Sequence, residues 1–490
     1  MKQSLRIPAS DQPLFRLVEA AAVANPFSDD RFEVERKIAG AAGGTAAPIR
    51  ERAIQKVRER VAGYVRRGRA DIRLYPREDA QRLRTVILFD VFHRHIQELD
   101  GLIVRQQEAG DAPIEVPFAG TILQEMTDAG LTLDASRHVL AEFYQLRRAF
   151  YFIRHAALGS SPCMQALRCE LWTNVFTHDF NLYDRFLWDR MEDFSTLLLG
   201  ETGTGKGMAA RAIGCSGFIP YDPVKGRFAC SFTRTFISLN LSQFPPSLIE
   251  SELFGHRKGA FTGAIEEHTG LLARCSPHGA IFLDEIGDVD IPIQIKLLQV
   301  LQERTFSPVG SHEKKRFQGR VIAATNKPLE QLRRSGRFRD DFYYRLCSDQ
   351  ITLPPLAQRL RENPSELGDL VGAILQRLCG KSFPELKAVV LAALERSPGP
   401  NYAWPGNVRE LEQATRRILL KAGYEGDAKR ADGGAEPELL EGIRAGTADA
   451  ASLLSMYCKV LYERHGTYEE VARRTGLDWR TAKKHIAAVP

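Results

Sequence analysis

The residues with the clearest chemistry are Gly200, Glu201, Thr202, Gly203, Thr204, Gly205 and Lys206, which follow an apolar run and precede a helical pattern. Glycines at this spacing let several backbone N–H groups turn inward around phosphate oxygens. The helix that follows adds its positive end, and Lys206 can reach the β and γ phosphates. Gly207 comes next, where the generic loop has a Ser or Thr to hold magnesium. Metal binding must then lean on acids elsewhere and on water. The stretch AIFLDEIGD provides such acids. Its apolar run ends in Asp284, suited to holding Mg2+, and Glu285, suited to polarising an attacking water. RVIAATN ends in Thr325 and Asn326, polar groups that can touch a γ-phosphate or the water. A chance glycine turn, solvent-facing acids and an ordinary strand exit would explain the pieces one by one. Together they point to ATP hydrolysis with Mg2+ as the metal.

These groups need a scaffold. From about 170 to 352, short apolar runs (FSTLLLG, FISLN, AIFLDEI, RVIAATN, QITLPPL) alternate with helical patterns. That alternation predicts an α/β domain with a mainly parallel sheet. Residues 353–425 read as helices and turns, and EGDAKRADGGAEPE as a linker. The chain of 490 residues has 44% apolar and 26% charged residues and a formal charge of +6, which is ordinary for a globular protein and only mildly basic. Its eight cysteines form no C-x-x-C pair, so neither a zinc site nor a disulfide framework is expected. No apolar run has signal-peptide or membrane-spanning character, so a cytoplasmic protein without membrane partners is expected.

The C-terminal stretch GTYEEVARRTGLDWRTAKKHI reads as helix, tight turn and helix. Val471 and Ala472 would pack inward, Gly476 would make the turn, and Asp478 would cap the second helix. Arg480, Thr481, Lys483 and Lys484 then crowd that helix, as a reader of the DNA major groove requires. Short helical hairpins are common, and this one gains its meaning from its setting. The helix around Ser452 to Arg464 would support the unit or help it dimerise.

Between about 172 and 420 the chain resembles the AAA+ domain of bacterial sigma-54-dependent transcriptional activators, or enhancer-binding proteins. The motifs that carry the resemblance are SELFGHRKGAFTGA, FLDEIGD, LQERTFSPVGS, AATN, FRDDFYYRL, LPPL and WPGNVREL, in the family's order. The resemblance implies a P-loop NTPase with a parallel sheet and helical lid. It also implies that Gly259, Ala260, Phe261, Thr262, Gly263 and Ala264 form a surface-loop tip that touches sigma-54 in the RNA polymerase holoenzyme. Asn240 would hold the catalytic Glu until that loop engages. Arg339 and Arg345 would reach the neighbouring subunit's nucleotide, which requires a homo-hexamer or heptamer, and Arg409 would contact the γ-phosphate in cis. A local salt bridge is the alternative for each of Arg339 and Arg345. The C-terminal hairpin would be a Fis-type helix-turn-helix bound to double-stranded DNA at an upstream enhancer.

The chain departs from the family at Gly207, at Pro308 and Ser311 in the second loop, after LPPL, and at Gly279-Ala280. None of these removes a reacting group. The expected organisation is a mainly helical N-terminal region (1–165), an α/β ATPase subdomain (166–352), a helical lid (353–425), a linker (426–447) and the DNA-binding helices (448–490). The N-terminal third shows no receiver pattern, since VILFD (86–90) reads as helix core, and its sensory fold and signal are not legible. The aromatics of 171–195 read as packing residues. Two rival readings are a degenerate DNA-binding regulator with weak or no ATPase activity, and an AAA+ remodeller of another protein.

Overall fold

The computed structural model describes residues 4–381, 383–426 and 449–487, together with 439, 443 and 446. The expected linker falls mostly outside the described residues. The chain divides into two units, 1–370 and 371–490.

The first unit begins with eight helices: α1 (Gln12–Val23), α2 (Asp29–Ala39), α3 (Ala46–Arg66), α4 (Arg77–Arg94), α5 (Ile96–Ala109), α6 (Ala119–Asp128), α7 (Leu133–Ala156) and α8 (Pro162–Phe176). Local chemistry sets their ends. In α2, the Ser28 side chain accepts from the Arg31 N–H, Asp29 and Asp30 open the first turn, Arg36 and Lys37 close the last, and Gly40 exits with φ 68°. In α7, Thr132 accepts from the Ala135 N–H, and Arg154 and His155 sit at the carbonyl end. VILFD lies inside α4, with Val86, Ile87, Phe89 and Asp90 buried, as a helix core requires.

A five-stranded, all-parallel sheet follows. Its strands are β1 (Thr196–Leu199), β2 (Phe236–Asn240), β3 (Ala280–Asp284), β4 (Arg320–Thr325) and β5 (Asp349–Thr352), in the spatial order β2-β3-β4-β1-β5. Each strand is the apolar run that the sequence predicts. Side chains alternate between the two faces. Leu198, Phe282, Ile322, Ala324 and Ile351 join a core that is continuous with the N-terminal helices. Leu197, Ile281, Leu283, Val321 and Ala323 join a second core under α10 (Pro246–Phe254), α11 (Ile291–Glu303) and α12 (Asp340–Leu346). The helix that follows the Gly200–Gly205 loop, α9 (Lys206–Gly214), packs on the first of these faces.

Three buried arginines bind the N-terminal helices and their exit segment to this sheet. Arg148 of α7 donates to the carbonyls of Cys215 and Gly217, each at 2.7 Å, just past the end of α9. A cation there meets the helix's negative end. Arg320 donates to the carbonyls of Phe194 and Asn174 and to the side chains of Asn174 and Thr196. Arg359 pairs with Glu366 at 2.5 Å, and that carboxylate also accepts from the N–H groups of Ser160 and Ser161.

The second unit holds α13 (Pro384–Arg396), α14 (Asn407–Lys421), α15 (Ala450–His465), α16 (Tyr468–Thr475) and α17 (Trp479–Ala487). The last three share a small core of Cys458, Leu461, Val471 and Ala482.

Candidate functional site

Parallel strands carry their C-terminal ends to one edge, so four polar segments meet there. The loop Gly200–Gly205 leaves β1, Asn240 ends β2, Asp284 ends β3 directly opposite it in register, and Thr325 ends β4 opposite Leu199. The loop's shape depends on its glycines. Gly200 has φ 151°, and a β-carbon there would lie 3.0 Å from the Thr204 hydroxyl and 3.1 Å from the Leu353 carbonyl oxygen. Gly203 and Gly205 also take positive φ, and Gly205 leads into α9. The Lys206 ammonium folds back onto the carbonyls of Gly200 (2.8 Å) and Glu201 (3.0 Å), and Thr204 donates to Glu201 at 2.9 Å. A β-carbon on Gly207 would meet only a Phe282 ring atom, at 3.8 Å, so packing does not demand a glycine there.

The acidic pair sits at the same edge. Asp284 accepts from the Glu285 N–H at 3.1 Å and from the Asn240 amide at 3.4 Å. The sequence reading has Asn240 hold Glu285; the bond here goes to Asp284. The Asn240 carbonyl oxygen is taken by the Ser242 N–H and hydroxyl. Glu285 has φ 57°, a left-handed conformation that costs an ordinary residue about 1–2 kcal/mol. Among the described residues its carboxylate accepts a single long bond, 3.4 Å, from the Asn326 N–H, while the Asn326 amide donates to the Thr202 hydroxyl at 2.8 Å. Burial pushes the Glu285 carboxyl above its ordinary range. The Asn326 N–H opposes that shift and the Asp284 charge adds to it. The Thr325 hydroxyl is buried and accepts from the Lys327 N–H. The donor set, two carboxylates beside an amide, fits a hard cation held mainly through Asp284.

Arg339 and Arg345 lie on a different stretch of surface. Arg339 pairs with Asp341 at 2.6 Å, and Arg345 donates to the Leu301 carbonyl at 3.0 and 3.1 Å. One residue missed in the sequence sets Arg339 in place. Gln294 is fully buried; its amide donates to the carbonyls of Val289 and Arg337, and its oxygen accepts from the Arg339 N–H at 2.9 Å. The available signal was a glutamine within the apolar stripe of α11.

Gly259–Ala264 form a tight surface turn. The Gly259 N–H donates to Ala264 at 2.8 Å, the Ala264 N–H to Phe261 at 3.0 Å, and both glycines have positive φ. Phe261 is 41% exposed, and its ring lies 4.9 Å from that of His256. Backbone bonds between His256 and His268, both 3.0 Å, close the base of the turn. A second loop braces it: Arg257 and Val309 are bonded through their backbones, Arg257 pairs with Glu313 at 2.8 Å, and a β-carbon on Gly310 would meet Ala260 at 2.8 Å. Pro308 and Ser311 turn that second loop through a 3.0 Å backbone bond.

In the second unit, Arg409 is exposed in the first turn of α14. Val471 is buried, Ala472 half-buried, Gly476 has φ 72°, and Asp478 accepts from the Arg480 N–H at 2.9 Å. Arg480, Thr481, Lys483 and Lys484 are all exposed on α17.

Residues 186–352 match the family model described as the sigma-54 interaction domain. The chain is 41% identical over 226 residues to the DNA-binding transcriptional regulator NtrC of Azospirillum brasilense, covering 46% of this chain and 43% of that protein. It is 40% identical over 232 residues to the sigma54-dependent transcriptional activator SfnR of Pseudomonas putida, covering 47% and 57%. The chain thus spans about half the length of the curated relatives it matches. The crystal structure of NtrX from Brucella abortus in complex with ADP aligns over 76% of this chain and 80% of its own, with 21% identity and a TM-score of 0.41. At that score the fold rests on the sheet itself. Among the described residues no helix is long and apolar enough to cross a membrane. Residues 186–352 thus match the sigma-54 interaction domain, and over about half of its length the chain is similar to transcriptional regulators that include a sigma54-dependent activator.

Proposed function

We propose that the protein hydrolyses ATP in a homo-hexameric or heptameric ring and uses the resulting motion to press its Phe261 turns against sigma-54 in the closed polymerase complex. The observation that carries this reading is the meeting of Lys206, Asp284, Glu285 and Asn326 at one sheet edge, inside the segment that matches the sigma-54 interaction domain. Gly200–Gly207 would cradle the phosphates. Lys206, now resting on loop carbonyls, would swing to the β and γ oxygens. Bound magnesium would neutralise phosphate charge, with Asp284 its side-chain ligand. Glu285 would take the proton of the attacking water, a task its upward-shifted carboxyl suits. Asn326 touches both Glu285 and the loop residue Thr202, so it can relay the state of the nucleotide to the strand ends. Thr325 and Asn240 would hold these ends in register.

Arg339 and Arg345 would leave Asp341 and the Leu301 carbonyl to reach the nucleotide of the adjoining subunit, and Arg409 would act from the lid. Arg480, Thr481, Lys483 and Lys484 would bind upstream DNA, mostly at phosphates. The same reading makes 1–165 regulatory, 166–352 and 353–425 the two ATPase subdomains, 426–447 a linker and 448–490 the DNA-binding unit, in a cytoplasmic protein. Steady-state ATPase and promoter-opening assays test it. Glu285→Gln should bind ATP and lose turnover by about 10²–10⁴-fold. Phe261→Ala should hydrolyse ATP and fail to open promoters. Normal turnover in the first variant, or normal opening in the second, refutes the corresponding role.

A further inference from the structure

Away from the Gly200–Gly205 loop, the N-terminal helices of the first unit line an open-sided cavity of about 850 Å³. That is the size of a cleft that takes a drug-sized molecule. Its walls come from α1, α2, α3, α4, α7 and α8, from Ile96 at the start of α5, and from the segment 180–185 that precedes β1. Much of the wall is apolar and aromatic, including Leu88, Phe92, Phe143, Leu146, Phe150 and Trp172.

The charged part of the wall is unbalanced: six arginines face the cavity against four carboxylates. The carboxylates are already engaged. Glu35 lies between Arg31 and Arg50, Glu19 is bonded to Arg82, and Asp184 is bonded to His138 at 3.0 Å. Glu142 is buried, 3.6 Å from the same His138 nitrogen. Burial pushes its carboxyl up to about 7, so near neutrality it carries less than a full charge. Of the arginines, Arg147 is paired with Asp100 at 2.7 Å. Arg84 and Arg154 make no hydrogen bond or close ion pair among the described residues, and Arg84 stands near enough to Asp184 to favour its ionised form. Unpaired guanidinium groups beside apolar walls match an anion with an apolar body.

We propose that this cavity binds an organic anion, with a carboxylate, sulfonate or phosphate head at Arg84 and an aliphatic or aromatic body against the α4 and α7 side chains. Because Phe180, Asp184 and Arg185 form part of the wall, an occupant would touch the segment that runs directly into the sheet. The binding claim is independent of the nucleotide reading, and its test involves no hydrolysis.

The test is fluorescence titration of the full chain with 8-anilinonaphthalene-1-sulfonate, an aromatic anion. Saturable binding at one site per chain is expected, displaced by dodecanoate and not by dodecylamine or ATP. Arg84→Gln should weaken binding by at least fivefold. Leu146→Trp should abolish it by filling the cavity, with far-ultraviolet circular dichroism as the check on folding. Ala20→Trp, at an exposed position on the cavity wall, serves the same purpose if the first variant does not fold. Absence of saturable binding, displacement by dodecylamine or ATP, or affinity unchanged in both Arg84→Gln and a folded filling variant overturns the proposal.

Discussion

Two sets of arginines in the first unit differ sharply. Arg148, Arg320 and Arg359, where the N-terminal helices and their exit segment meet the sheet, are buried and donate to backbone carbonyls, to the Asn174 and Thr196 side chains or to a buried carboxylate, mostly at 2.5–3.0 Å. Arg339 and Arg345 lie at least partly in solvent, one on the adjacent Asp341 and the other on a single carbonyl. A buried cation must be matched where it stands, because leaving it unpaired is expensive. An exposed arginine on a local partner loses little by leaving it. The first set therefore holds the fold together, and the second can be redeployed. The sheet edge that carries the candidate site resembles the second set: the bonds that Asn240 donates to Asp284 and Asn326 to Glu285 are 3.4 Å, at the weak limit.

Several changes would break or sharpen this contrast. Arg339→Ala should lower ATP turnover by about 10³-fold or more if it acts as a finger, yet leave unfolding free energy within ~0.5 kcal/mol. A large stability loss would move it into the first set. Glu366→Ala should do the reverse within the first unit. It strands Arg359 and should cost about 3–5 kcal/mol in denaturant unfolding. A loss under about 1 kcal/mol would show that the junction tolerates an unpaired cation.

A smaller effect is expected at His138. Burial alone would lower this imidazole, but its bond to Asp184 and the Glu142 carboxylate outweigh that and hold it at about 9. A histidine raised in this way contributes stability that is complete below its ordinary 6.5 and is lost as pH rises through about 9. Glu142, held near 7, has already discharged its proton over most of that interval. The thermal midpoint should therefore fall between pH 7 and 9.5, and more steeply in the wild type than in His138→Gln. Equal slopes would remove His138 from the junction's energetics. The smallest change is Gly207→Ser. It fits without a clash and should raise stability by about 0.5 kcal/mol through lower backbone entropy, with tighter magnesium-dependent nucleotide binding. Lower stability would show that the helix start needs its glycine.

The sequence by itself was enough to read the strands, the glycine loop after β1, the acids at the end of β3 and the two C-terminal helices with their turn. Each is written in neighbouring residues: an apolar run, a glycine spacing, a cap. It also showed VILFD as helix, because the surrounding apolar spacing is helical. Only the tertiary structure decided that Gln294 holds Arg339, that Gly310 braces the Ala260 turn, and that Arg148 of α7 closes the end of α9. These contacts join residues 45, 50 and 67 positions apart. No local pattern encodes such a pairing, since it exists only once the parallel sheet has carried distant strand ends to one edge and the N-terminal helices have packed against one of its faces. The cavity arises in the same way. Its arginines look like solvated charges along each helix, and they come to line one cavity only where seven helices and the lead-in to β1 converge.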